Sequence, residues 1–222
     1  MTELESTVDP MPKVTNVPFT RDIRVEDRIV NAAIECFQRS GIDGTSMDTI
    51  AKAARMARQT MYRYFPSRHH LAVEVLVREI RDHTRMLTPL LRQYSYPPKA
   101  MTEALVQGVV SARRHPSTQI IVSDIGAELM SKVPGSDRAM LDAMSEQWLP
   151  TLYRWKEAGY LRPQVKFDEL LLWITMFLFI SISRGTLLGL NVDMLRQLIT
   201  NQMLPSLFDL ERLKLDFPAE FQ

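Results

Sequence analysis

The strongest constraint on the fold is that apolar residues recur at helical spacing along nearly the whole chain, while the alternation typical of strands is almost absent. In the first such segment, Ile29, Ala33, Cys36 and Phe37 are three or four residues apart and therefore share one helix face. Glycines and prolines divide the segments, as at Gly41. We therefore predict an all-α protein.

Capping residues and helix breakers set the expected helix boundaries. Ser67 is placed to cap a long helix, and either Thr45 or Ser46 to cap a short one, with Thr45 and Asp48 at the spacing of a capping box. After a first helix that contains residues 25–37, we predict helices over residues 47–54, 58–64, 68–87, 99–115, 118–133, 137–158, 168–188 and 192–209.

The N-terminal segment and the most apolar run of the sequence indicate how the chain is organised and where it acts. Residues 1–20 contain three prolines without helical periodicity, which predicts a flexible tail. The most apolar run, residues 170–182, is thirteen residues long. Spanning a bilayer takes about 20 residues, so a buried helix is expected. Because no basic segment followed by an apolar stretch opens the sequence, we expect a soluble cytoplasmic protein with no membrane partner.

Two short predicted helices, at 47–54 and 58–64, are separated by only Arg55, Met56 and Ala57 and follow a longer helix. This is the layout of a helix-turn-helix. In that motif the first short helix crosses the DNA backbone, and the second presents its N-terminal residues to base edges in the major groove. We therefore predict a three-helix DNA-binding domain at 21–67 and a second helical region at 68–222.

The second short helix carries side chains suited to double-stranded DNA. Arg58 and Gln59 are able to pair in bidentate fashion with guanine and adenine, and Thr60 to contact a thymine methyl group or a phosphate. Hydroxyl or cationic groups for phosphate contacts come from Arg24, Thr45, Ser46, Arg55, Tyr62, Arg63, Tyr64 and Arg68. Taken singly each is equally a solvated surface residue, but the whole pattern favours DNA binding.

A further set of positions has fixed spacing across the same helices: Ile29, Ala32, Ala33, Phe37, Gly41, Thr45, Ile50, Ala51, Ala54, the run TMYRYF at 60–65, Ser67, Arg68 and Leu71. With these residues, the segment 28–71 resembles the DNA-binding domain of the tetracycline-repressor (TetR) family. The resemblance implies a homodimeric, ligand-responsive transcriptional regulator, most often a repressor that binds a palindromic operator. Beyond Leu71 it is only architectural, since family members share little sequence there.

Two positions depart from the family pattern. Arg55 stands where the family often has a glycine in the turn, and Ala57 where it often has a serine or threonine cap. An alanine cap typically costs about 1 kcal/mol relative to serine. These departures leave a second interpretation open, an all-helical carrier of a small ligand or lipid that has lost DNA binding.

The near-neutral composition hides an uneven distribution of charge. The chain has 27 Lys and Arg against 26 Asp and Glu, which by itself argues weakly against a nucleic-acid partner. Residues 21–70 hold nine of these cations and six of the anions, a net charge of +3, so the remainder has 18 against 20, a net charge of −2. The positive charge therefore lies in the predicted DNA-binding domain.

The resemblance also implies that the last two long helices form a four-helix bundle with a second copy. The predicted helix at 168–188 is apolar almost all round and must be covered on most sides, and the following helix carries one apolar stripe. The expected interface residues are Trp173, Phe177, Ile180, Leu187, Leu195, Leu198, Ile199 and Met203. The alternative is an internal core helix of a monomer.

In the family, the middle helices enclose an effector site that is mostly apolar, with a few orienting polar groups. The candidate lining residues are Met86, Leu90, Leu105, Val109, Ile121, Ile125, Leu129, Met144, Trp148, Leu152, Trp155 and Phe177, with Asp124, Glu128 and Gln147 as candidate polar anchors. Each apolar residue in this set is also a candidate for ordinary core packing. The thirteen methionines suit an adaptable pocket and a largely apolar small-molecule effector.

Catalytic and metal-binding patterns are absent from the sequence. The four histidines form no HExxH motif, there is no glycine-rich phosphate loop or GxSxG turn, and the single Cys36 lies on the apolar face of the first helix. We therefore expect no metal and no cofactor, and an enzyme ranks behind both the regulator and the carrier.

Overall fold

The computed structural model describes residues 22–115 and 132–221, and this part of the chain is helical apart from turns and one isolated β-bridge between Leu161 and Phe208. The predicted all-α class is confirmed. The helices are α1 (Ile23–Ser40), α2 (Met47–Ala53), α3 (Arg58–Tyr64), α4 (Arg68–Gln93), α5 (Pro97–Arg114), α6 (Ser136–Glu157), α7 (Phe167–Arg184), α8 (Val192–Leu198), α9 (Leu204–Leu207) and α10 (Leu210–Asp216).

The predicted boundaries agree best where local signals are strong. The bounds of α3 are those expected from sequence, and Ser67 caps α4 by accepting a hydrogen bond from the His70 amide at 3.4 Å. The helix predicted at 118–133 lies almost entirely outside the described residues, as does the N-terminal tail.

The prediction that α4 ends near Leu87 is wrong, because the helix continues through Pro89 to Gln93. A proline inside a helix leaves the carbonyl four residues earlier, here that of Arg85, without its amide partner. Arg85 and Pro89 are both exposed, so the interruption lies on the solvent side of the helix.

The single helix predicted at 192–209 is also wrong. The chain forms α8, then a π-helical turn (Ile199–Met203), then α9, and a separate α10 follows. Pro205 in the first turn of α9 has no amide hydrogen, which interrupts the regular hydrogen-bond ladder. Asp209 does not end a helix but caps α10, since its carboxylate accepts a hydrogen bond from the Arg212 amide at 3.1 Å.

Two hydrophobic cores meet along α4. The head core joins α1, α2, α3 and the first half of α4, and Ile29, Ile50, Met61 and Leu71 are fully buried in it. The body core joins the second half of α4 to α5, α6, α7 and the C-terminal helices. Ile80 packs against both cores, so α4 forms part of each.

Ion pairs secure α4 on both sides of Ile80. The Arg78 guanidinium contacts Asp27 of α1, and it also donates to Glu74 at 3.1 Å. One turn later Arg81 forms a two-pronged pair with Glu146 of α6, at 3.0 and 3.1 Å. Arg78 and Arg81, which are three residues apart, therefore attach α4 to a helix of the head and to a helix of the body.

The C-terminal end of α5 is attached to α7 by one arginine. The Arg113 guanidinium donates to the carbonyls of Ser181 at 2.8 Å and Leu190 at 2.9 Å. A Cβ atom at Gly185 would lie 1.7 Å from the Arg113 Nη2 atom, so only glycine permits this approach. Among the described residues, no helix has the length and apolar character needed to cross a bilayer.

Histidine burial predicts a pH dependence of stability. Burial lowers the pKa of His83, and the charge of nearby His115 lowers it further. Its stabilising contribution is therefore complete above the unfolded-state pKa of about 6.5 and is lost as the pH falls below that value. We expect the urea midpoint to fall between pH 7 and pH 5, and to fall less in His83→Gln, which does not titrate. An equal fall in the variant and the natural protein would contradict this assignment.

Candidate nucleic-acid interface

The helix-turn-helix forms as predicted, with an unusual turn. Arg55 has a φ of 51°, and it is the one non-glycine residue with a positive φ in the described part of the chain. This left-handed conformation costs an L-residue about 1 kcal/mol or more, and it accounts for the preference for glycine at such turns. Ala57 occupies the N-cap of α3 and makes no side-chain capping bond.

Thr45 does not provide a surface hydroxyl, so its predicted phosphate contact is corrected. Thr45 is 1% exposed, and its hydroxyl donates a hydrogen bond to the Gly41 carbonyl at 2.7 Å. The helix cap is the exposed Ser46, whose Oγ accepts from the Thr49 amide at 3.1 Å, so the capping box expected between Thr45 and Asp48 is wrong. At this end of α2, the exposed hydroxyls are those of Ser46 and Thr49, whose oxygens are 2.8 Å apart.

The predicted surface hydroxyl of Tyr64 is also corrected. Tyr64 is 4% exposed in the head core, and its hydroxyl accepts a hydrogen bond from the Asp22 amide at 3.3 Å. Met61 and Phe65 are buried, as the four-residue spacing predicts. Tyr64 is three residues from Met61 and falls on the same face, so its polarity was a poor guide to its orientation.

The opposite face of α3 carries the remaining predicted contacts. Arg58, Gln59, Tyr62 and Arg63 are exposed, and Thr60 is half-buried. All five belong to one seven-residue helix that begins at Arg58. The structure therefore brings together both candidate base-reading side chains and the flanking hydroxyl and cationic groups on one surface.

Arg58 is held in place by neighbours that the sequence reasoning missed. Its guanidinium donates to the Asp48 carboxylate of α2 at 2.8 Å and lies 5.5 Å from the centre of the Tyr62 ring. Tyr62 lies one helical turn after Arg58, but Asp48 is ten residues earlier and meets it only across the turn. The ion pair is solvent-exposed and adds little stability, but it places the guanidinium between Asp48 and the Tyr62 ring.

Arg68, whose predicted phosphate contact stays a prediction, makes hydrogen bonds within the head. Its guanidinium donates to the carbonyl and to the carboxylate of Asp43, both at 3.0 Å, and is 3.4 Å from the Thr45 carbonyl. Arg68 therefore joins the start of α4 to the loop before α2. This bonding fixes the position of α2 relative to α4.

A cleft of about 530 Å³ lies between α1 and the turn, and three arginines line it. Arg24 and Arg55 were predicted to contact phosphates, and Arg28, one turn after Arg24, was not singled out. Asp27 and Glu35 also line the cleft, but the Asp27 carboxylate is paired with Arg78 on α4. The unusual turn residue thus lies beside the two cations of α1.

The predicted dimerisation residues fall into two groups. Trp173, Ile180, Leu187 and Leu198 are exposed and Phe177 is half-buried, with the Trp173 and Phe177 rings stacked 5.2 Å apart. The exposed apolar residues of α7, of the segment after it and of α8 are what we call the outer apolar face: Leu172, Trp173, Met176, Ile180, Leu187, Leu188, Met194 and Leu198.

The prediction that Leu195, Ile199 and Met203 lie in the dimer interface is wrong. All three are buried in the body core of the protomer itself. They recur every four residues and form a stripe that faces inward. The adjacent residues Met194 and Leu198 remain exposed. The segment therefore has two apolar faces, which a single predicted stripe did not distinguish.

The candidate effector-site residues that the structure describes belong mainly to the body core. Buried members of that core are Leu105, Val109, Met144, Trp148, Leu152 and Trp155, and half-buried Phe177 packs against them. Met86 is 62% exposed and is not an interior residue, while Leu90 is half-buried. Ile121, Ile125 and Leu129 lie outside the described residues, as do Asp124 and Glu128.

Curated relatives with sequence similarity are transcriptional regulators. The transcriptional repressor KstR of Rhodococcus jostii is 26% identical over 151 residues, which cover 58% of this chain and 71% of KstR. The transcriptional regulator RutR of Escherichia coli is 27% identical over 139 residues, which cover 61% of this chain and 63% of RutR. The chain thus matches somewhat less than two thirds of the length of RutR.

The fold is also similar to that of solved structures. Thermus thermophilus FadR, a TetR-family transcriptional repressor solved in complex with lauroyl-CoA, superposes with a TM-score of 0.65 at 20% identity, covering 82% of this chain and 94% of FadR. Residues 29–75, which include α2, α3 and the Arg55 turn, match the family model of bacterial regulatory proteins, tetR family. Residues 29–75 thus match the tetR family of bacterial regulatory proteins, and the fold of the chain is similar to that of a TetR-family repressor.

Proposed function

We propose that the chain is a homodimeric repressor that binds a palindromic operator in double-stranded DNA and is released by a small, largely apolar effector. The observation that carries the proposal is the exposed face of α3, where Arg58 and Gln59 lie next to each other at the start of the helix. A protein that binds chromosomal DNA in a bacterium acts in the cytoplasm.

Different residues of this surface are suited to bases and to phosphates. Arg58 and Gln59 at the start of α3 suit bidentate contacts with guanine and adenine in the major groove. Ser46 at the start of α2 and the arginines beside the turn, Arg24 and Arg55, suit phosphates on either side of the groove. Because the total charge of the chain is only +1, base contacts and the spacing of two heads must supply much of the selectivity.

A second copy of the chain is the proposed occupant of the outer apolar face. Soluble monomers rarely expose large apolar patches, whereas Leu172, Trp173, Met176 and Ile180 are exposed at helical spacing along α7. The stacked Trp173 and Phe177 rings are suited to burial against a flat partner. Two-fold symmetry would present two α3 helices to half-sites separated by about one helical turn of DNA or a multiple of it.

The proposed effector binds in the body, where the candidate residues of α5 and α6 converge in one apolar core. FadR of Thermus thermophilus, which has a similar fold, was solved with lauroyl-CoA, a ligand with an apolar acyl group. Release follows if the effector favours a body packing in which α4 holds the heads at a spacing that no longer matches the operator.

The rival carrier function rested on Arg55 and Ala57. The left-handed conformation of Arg55 supports the regulator instead, because it preserves the backbone path that a glycine would provide. The three-helix head is therefore intact in the presence of both departures.

Replacement of Arg58 or Gln59 by alanine is expected to relax sequence preference. Each lost bidentate contact costs about 1–3 kcal/mol on the preferred base and little on others. Competition binding on a randomised duplex library measures this, with Arg138→Ala, an exposed arginine of α6, as control. Equal weakening on every sequence would make these residues phosphate contacts, and failure of the natural protein to retard any genomic fragment at low salt would refute DNA binding.

Arg55→Gly is expected to raise the stability of the protein and to lower its affinity for DNA. Glycine relieves the left-handed strain, so the free energy of unfolding should rise by up to about 1 kcal/mol. The same variant loses one phosphate contact, so the slope of log affinity against log salt should decrease by about 0.9. The matched Arg63→Gly, within α3, should destabilise by about 1 kcal/mol in urea unfolding. A destabilised Arg55→Gly protein would contradict the strain account.

Ile180→Glu is expected to yield monomers, because a carboxylate buried in the outer apolar face would lack a partner. Sedimentation velocity measures the change, and operator affinity should fall with it. The control is Leu215→Glu, since Leu215 is a 75% exposed leucine on α10 outside that face. A variant that remains dimeric would show that this face is not the interface.

A further inference from the structure

A cleft on the outer surface of the body has the composition of an anion site. It lies between the second half of α4 and α6, and its volume is about 580 Å³. Its lining residues are Arg85, Thr88, Pro89, Arg92, Gln93 and Gln147. Two are cationic, none is acidic, and neither arginine belongs to the proposed DNA-binding surface.

The two arginines have side chains available to a ligand. They are seven residues apart on α4, which is two helical turns or about 10 Å, so both lie on the same side of the helix. Arg85 pairs at 2.9 Å with Asp82, but both side chains are about two-thirds exposed or more, and such pairs are weak. Arg92 is exposed and has no ion pair within the described ranges.

The opposite wall presents an oriented amide. The Thr88 hydroxyl donates to the Gln147 Oε1 atom at 3.0 Å, which bridges α4 and α6. Gln147 lines the cleft, and while its oxygen accepts from Thr88 its Nε2 group retains two hydrogens to donate. The polar side chains that line the cleft therefore offer mainly donors to a ligand.

Pro89 supplies an apolar surface between the cations. Its ring lies midway between Arg85 and Arg92 along the helix and is exposed in the cleft. Inorganic phosphate would satisfy the donors and leave this surface unused. A molecule with both an anionic group and an apolar body would use both features.

We propose that this cleft binds a carboxylate or phosphate group of a small organic molecule. Arg85, Arg92 and Gln147 hold the anionic group by charge-assisted hydrogen bonds, and the Pro89 ring packs against the organic part. The site is separate from the apolar interior of the body, and its occupation does not depend on DNA binding. A bound anion would bridge α4 and α6 next to the existing pair of Arg81 and Glu146.

Isothermal titration calorimetry on the full chain, without DNA and at low salt, tests the site with four probes. Phenyl phosphate and benzoate represent the two anionic groups on an organic body, benzamide is the neutral analogue, and inorganic phosphate is the bare anion. We expect phenyl phosphate, benzoate or both to bind about tenfold or more tightly than benzamide. Equal affinity for inorganic phosphate and phenyl phosphate, with no binding of benzoate, would overturn the organic ligand.

Variants assign the binding to this cleft. The double substitution Arg85→Gln with Arg92→Gln should weaken the anionic probes about tenfold or more, and Gln147→Met several-fold. The control is Arg138→Gln on α6, which removes a cation of similar exposure away from the cleft. Unchanged affinity in the double variant, or absence of any anion binding by the natural protein, would overturn the proposal. Operator retardation without ligand should be the same in all four proteins, so loss of DNA binding is recognised as a separate failure.

Discussion

The arrangement of the molecule depends on the membership of one helix in two hydrophobic cores. α4 contributes Leu71 to the head core and Leu91 to the body core, and Ile80 contacts both. Because α4 has 26 residues, it extends about 39 Å without a loop in which the head could turn independently. The orientation of the reading helix is therefore set by how the body packs around the second half of α4.

Polar contacts of three arginines also attach α4 to the helices of both cores. Arg68 attaches the start of α4 to the loop before α2, and Arg78 attaches the next turns to α1. Arg81 makes the corresponding attachment to α6 in the body. Successive turns of α4 thus hold the helices of both cores, so a change in how the body packs around α4 would move the head as well.

The helix-turn-helix illustrates how a fold requirement overrides a local preference. The connection between α2 and α3 needs a left-handed residue, and Arg55 adopts that conformation although its side chain disfavours it. The uncapped start of α3 adds a second local cost. Burial of Ile50, Met61 and Leu71 in a shared core outweighs both, and the strain remains at the place where the chain is proposed to contact DNA.

Sequence reasoning succeeded where local signals decide the structure and failed where tertiary geometry does. The bounds of α3 follow from its turn and from Pro66, and Met61 and Phe65 are inward because their spacing is helical. Thr45 and Tyr64 were misassigned because a hydroxyl suggests a surface position, whereas each hydroxyl bonds a backbone group near the core. The pair of Asp48 and Arg58 and the two apolar faces of α8 depend on packing that spacing alone does not specify.

In the proposed complex, two copies of the chain place two α3 helices on one face of a DNA duplex. Hydroxyl-radical footprinting on a genomic fragment that the protein selects distinguishes this arrangement from binding by a single copy. We expect two symmetric protected stretches whose centres are about 10 base pairs apart, or a multiple of that spacing. A single protected stretch, or protection without symmetry, would contradict it.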